Sequence, residues 1–107
     1  MGVSEVSTKK VNSKMFIETE YRKSGNTVSM EFEEKSLGGV IVSDKHAMVE
    51  GKIGMTISLG NYEFLRIDAG VTIPCEKAKI EETYEEAFSL AGAELFKRVD
   101  EAKKTLL

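Results

Sequence analysis

Tyr62, Phe64 and Arg66 occupy every second position of a run rich in strand-forming residues, GNYEFLRIDAGVTIPC (60–75). Alternation at period two sets such side chains on one face of a β-strand. Lys52, Thr56 and Ser58 share a parity on the run just before it. An aromatic ring beside arginine, with lysine and hydroxyls around it, can stack a base and hold a phosphate. A second group is acidic: Glu18, Glu20, Glu31 and Glu33 lie on two earlier alternating runs. Carboxylates on an outer sheet face read first as a solvated surface that discourages edge pairing. They also suit a divalent cation, or an imitation of nucleic-acid phosphates offered to another protein.

Other chemistries lack their residues. One cysteine and one histidine cannot supply a structural zinc site, so no metal and no cofactor is expected. The chain has no Walker loop, no G-x-G-x-x-G and no H-E-x-x-H. A Ser-His-Asp triad would have to use His46, which lies in a charged loop, and Cys75 with the same His46 is the other nucleophile–base pairing to weigh. Cys75 directly after Pro74, at the end of a strand, reads more simply as a small residue closing the sheet. The chain is therefore read as a non-enzyme.

A single cysteine suits a reducing compartment. No apolar run reaches the ~18 residues of a membrane span. MGVSEVSTKKVNSK has no apolar core of the kind a secretory signal needs, so a cytoplasmic setting is expected. The net charge of −3 excludes a bulk polyanion binder. Its distribution is uneven, because Lys9, Lys10 and Lys14 against Glu5 make residues 1–14 basic and the remainder more acidic. Residues 1–13 read as a flexible basic tail ahead of one domain, 14–107.

The domain reads as α+β: an antiparallel sheet of four to five strands, built as two hairpins, packed by one long C-terminal helix. Met15, Ile17, Thr19 and Tyr21 alternate, as do Val28, Met30 and Phe32, with KSGN between them. Matching the two apolar sets requires an even-numbered loop and places Glu18 opposite Glu31. In the second hairpin the same parity argument selects an odd loop, Gly60-Asn61-Tyr62. It pairs Ile57 with Leu65, Met55 with Ile67, Ser58 with Phe64, Thr56 with Arg66 and Lys52 with Gly70. Between the hairpins, Val40–Val42 reads as a short strand and Gly38-Gly39 as a bulge or sheet corner. After Cys75, the spacing of Tyr84, Phe88, Ala91, Leu95, Val99, Ala102 and Leu106 predicts an amphipathic helix from about Ile80 to Leu106. Glutamates in its first turns and lysines in its last suit the helix dipole.

The stretch G-N-Y-E, then G-V-T-I-P-C, then E-E-T-Y-E-E-A-F resembles a group of small phage and mobile-element proteins over about residues 57–105. In that group a strand hairpin ends in a G-V-x-x-P step before an acidic helix. The resemblance implies a phage-like setting inside a host cell. With the residues above, the expected function is non-enzymatic binding of single-stranded nucleic acid in replication or recombination, through Lys52, Tyr62, Phe64 and Arg66. The alternative is an inhibitor of a host defence or nucleic-acid enzyme, acting through Glu18, Glu20, Glu31 and Glu33. Strand and helix lengths exceed what a compact monomer covers, so a homodimer or higher homo-oligomer is expected.

Overall fold

The computed structural model describes residues 7–106. β1 (Thr8–Lys23), β2 (Asn26–Ser43), β3 (Ala47–Gly60) and β4 (Glu63–Cys75) form one antiparallel sheet in the order β2-β1-β4-β3. A 3-10 turn at Lys77–Lys79 leads into α1 (Ile80–Leu106). This is the α+β architecture expected, with four strands and one long helix. β1 begins inside the stretch read as a tail, so Thr8–Ser13 are strand; residues 1–6 lie outside the described residues. Val40–Val42 is no separate strand but the end of β2, which runs for 18 residues.

The second hairpin has the predicted register. Ile57 pairs with Leu65, Thr56 with Arg66 and Lys52 with Gly70. The odd loop is realised as a two-residue turn, Asn61-Tyr62, both at positive φ, plus a bulge at Leu59. Two positive φ values match the twist of the flanking strands.

The first hairpin corrects the reading. Ser24-Gly25 does form a two-residue turn, but a bulge at Val28 slides β2 by one residue. Glu18 therefore faces Phe32, Glu20 faces Met30, and Glu31 faces Thr19. The apolar side of β2 lies on the opposite face from that of β1. Parity specifies register only where a core punishes the slip, and α1 makes its main sheet contacts with β3 and β4. The slip instead turns Glu33 toward Arg98 (2.6 Å) and Lys35 toward Glu94 (3.7 Å) on the helix.

The core lies between α1 and the inner face of β1, β4 and β3. It contains Met15, Ile17, Val49, Ile57, Leu65, Ile67, Ala69, Val71, Ile73, Cys75, Ala87, Ala91, Leu95 and Val99. Helix and sheet meet closely because β3 offers no side chain at Gly51. A Cβ there would sit 3.0 Å from the Phe88 nitrogen and 3.1 Å from Ala87. This contact turns small Ala87 and Ala91 into the sheet and leaves Tyr84 and Phe88 about half exposed. The predicted stripe is thus rotated in its first half.

β2 and β3 are opposite edges of the sheet, yet only Asp44–His46 join them. In a flat sheet those edges would stand ~14 Å apart. The link is folded into a turn, with His46 Nδ1 donating to the Ser43 carbonyl at 2.8 Å, so the sheet must curl at this end. β1 accordingly parts from β4 beyond Lys14 while it stays paired with β2 as far as Thr8. Glu76 fastens the curl by accepting from the Ser43 backbone N–H (2.8 Å) and hydroxyl (2.9 Å). At the far end the two hairpin turns lie side by side, Ser24 N–H donating to the Tyr62 carbonyl at 2.9 Å. The molecule is a rod of 72 × 21 × 19 Å. No described helix is long and apolar enough to cross a membrane.

Candidate binding face

Strand alternation gives the sheet a second face, opposite the helix. From β1 it carries Lys14, Phe16, Glu18, Glu20 and Arg22; from β2, Met30, Phe32 and Glu34. From β4 it carries Phe64, Arg66, Asp68 and Gly70; from β3, Lys52, Gly54, Thr56 and Ser58. No element lies over this face among the described residues, and Phe32, Met30 and Phe64 stay 60%, 59% and 40% exposed.

Two rings are set by their neighbours. Phe16 lies across Gly70, its strand partner, so closely that a Cβ there would fall 2.3 Å from the ring. Phe32 stacks beside Phe16 with centroids 6.5 Å apart and planes 21° from parallel. The sequence reading missed this pair because the expected register put Phe32 inside. A signal was available: Gly70 in the middle of a strand marks a close approach of another group.

The polar groups form a second cluster toward the turns. Arg66 donates to Asp68 through Nη2 (3.0 Å) and Nε (3.2 Å), and to the Thr56 hydroxyl through Nη1 (3.1 Å). Gly54 leaves room for this arrangement, since a Cβ there would meet Asp68 Oδ1 and Arg66 Nη2. The hydrogen bond that Arg66 donates to Asp68, and then the Asp68 charge, raise the Arg66 pKa. Arg22 binds Glu20, which also accepts from the Thr27 hydroxyl at 3.2 Å. Glu20, Arg22, Gly25, Thr56, Phe64 and Arg66 line a depression of about 470 Å³.

Of the residues predicted to bind nucleic acid, the structure brings Phe64 and Arg66 together at this depression. Lys52 lies further along the same face, opposite Gly70. Tyr62 stands in the turn, 79% exposed. The four carboxylates of the alternative are divided. Glu18 and Glu20 lie on the open face; Glu31 and Glu33 point to the helix side, where Glu33 is bound by Arg98. The Val28 bulge is the reason, so no single phosphate-like array forms from them.

Of the two residues weighed for nucleophilic chemistry, Cys75 is buried at the end of β4, opposite Ala47. His46 is held by the Ser43 carbonyl. No protein-family model, curated protein or solved structure matches this chain.

Proposed function

We propose that the protein is a non-enzymatic binding module that takes single-stranded nucleic acid on the open face of its sheet. The observation that carries this reading is a pair of exposed aromatic rings on that face, Phe64 at one end and Phe32, stacked beside the partly buried Phe16, at the other. Gly70 stands six residue steps along β4 from Phe64, a span of ~20 Å at strand rise. Bases can stack at both ends of that span without a sequence-specific contact.

The charge pattern shapes how binding would work. The open face mixes Lys14, Arg22, Lys52 and Arg66 with Glu18, Glu20, Glu34 and Asp68, so it is not a basic field. Lys52 makes no ion pair among the described residues, whereas Lys14, Arg22 and Arg66 each hold a carboxylate. Stacking therefore supplies the larger share of affinity. Arg66 keeps two N–H groups for a phosphate, but Asp68 neutralises its charge, so it attracts one strongly only once Asp68 is released.

The test is a titration of labelled single-stranded oligonucleotide against the wild type and Phe64→Ala. The variant should bind ~1–3 kcal/mol more weakly with its fold intact. Equal binding by both proteins would remove Phe64 from the site.

A further inference from the structure

The two flanks of α1 differ. Thr83, Glu86 and Leu90 line a groove with the end of β2, and Glu94 and Arg98 reach Lys35 and Glu33 further along that strand. The other flank carries Tyr84, Phe88, Gly92 and Phe96 at intervals of four, on the side of the helix opposite the β2 groove, where the Phe88 backbone meets Gly51 of the edge strand β3. It is apolar and open: Tyr84 is 43%, Phe88 48% and Phe96 69% exposed. Tyr84 and Phe88 stack, with centroids 6.4 Å apart. Ile53 and Met55 share the helix-side face of β3 and stand 40% and 38% exposed. At ~200 Å² for each such side chain, this flank leaves roughly 500 Å² of apolar surface uncovered. That is at the upper end of what monomers show. With its charged rim it approaches the ~800 Å² per partner of a stable interface.

The flank is also self-complementary. Gly92 has nothing within 4 Å of where a Cβ would stand, so it forms a notch in the middle of the stripe. Phe88 and Phe96 lie four residues either side of it, and Glu81 and Lys103 eleven either side. At 3.6 residues per turn all five fall within ~40° of one line. Glu81 and Lys103 are exposed and form no ion pair among the described residues. A two-fold axis at Gly92, with the helices antiparallel, would set Phe88 on Phe96 of the other copy and Glu81 beside its Lys103. The edge strand β2 is a poorer seam, because two bulges and inward-facing Glu31, Glu33 and Lys35 guard it against pairing.

We infer that a second copy of this chain covers the flank, giving an antiparallel helix-to-helix homodimer centred on Gly92. Both open sheet faces stay outside the interface.

Light scattering at about 50 µM should give twice the 11.8 kDa of one chain. Any other mass overturns the proposal. Phe96→Asp buries an unpaired charge only in the dimer, so it should raise the dissociation constant by roughly a hundredfold or more while the circular dichroism of the folded chain is kept. Met30→Asp, on β2, should leave the dimer unchanged. A dimer that survives Phe96→Asp, or one broken by Met30→Asp, overturns the surface. Lys103→Glu should weaken association by roughly three- to thirty-fold, and adding Glu81→Lys should restore it. Failure of the exchange to restore it overturns the two-fold axis.

Discussion

Arg66 shows how one side chain can be placed and still not be free to act. Gly54 gives it room, Thr56 fixes one end, and Asp68 neutralises it. If Arg66 meets phosphate by releasing Asp68, then Asp68→Asn should tighten binding by about 1 kcal/mol, the scale of one exposed ion pair. Isothermal titration of both proteins checks this; weaker binding by the variant would mean that Asp68 itself touches the ligand. Glu76 is the second residue whose charge has a measurable consequence. Hydrogen bonds from the Ser43 backbone and hydroxyl, in that order, hold its pKa below the ordinary carboxylate value of 4.5. A lowered folded-state value means that the stabilisation is fully present above pH 4.5 and is lost as pH falls through the lowered value. Thermal melts of wild type and Glu76→Gln should therefore differ at pH 7 and converge as pH drops below about 4.5. A gap that widens in acid would contradict the sign. Arg98 shows opposing effects: burial disfavours its charge, and Glu33 and Glu94 more than offset that, leaving its pKa raised.

The two hairpins divide what the sequence could and could not convey. In the second, both apolar sets face a helix, so parity alone selects the register that places Phe64 opposite Ser58 and Arg66 opposite Thr56. In the first, the same reasoning misplaces β2, since a strand exposed from Asn26 to Gly39 pays no burial penalty for a bulge at Val28. The Phe16–Phe32 pair was hidden for that reason, while Phe64, Arg66 and Lys52 could be read directly. The helix was legible in length and capping charges, but its rotation was not, because it follows from a contact with Gly51 far away in sequence. That contact is testable. Gly51→Ala would force a Cβ against helix backbone at 3.0–3.1 Å, so the urea midpoint should fall by the equivalent of ~1–3 kcal/mol. An unchanged midpoint would show that α1 can stand further from β3.

Seen whole, the chain is a curled sheet with one helix, drawn out into a rod. Its radius of gyration is 18.2 Å, against ~13 Å for a compact domain of about a hundred residues. That shape leaves two kinds of surface. The helix flank around Gly92 is apolar and self-complementary, and it suits another copy of the chain. The open sheet face holds separated rings among charges of both signs, and it suits an extended, stackable ligand. The second assignment is the central one, and fluorescence anisotropy with labelled single-stranded and duplex oligonucleotides at about 50 and 200 mM salt tests it most directly. The single strand should bind more tightly than the duplex. Its affinity should fall by roughly seven- to fifty-fold between the two salts, as for two to four phosphate contacts. No binding of the single strand at the lower salt, or a preference for duplex, would contradict it.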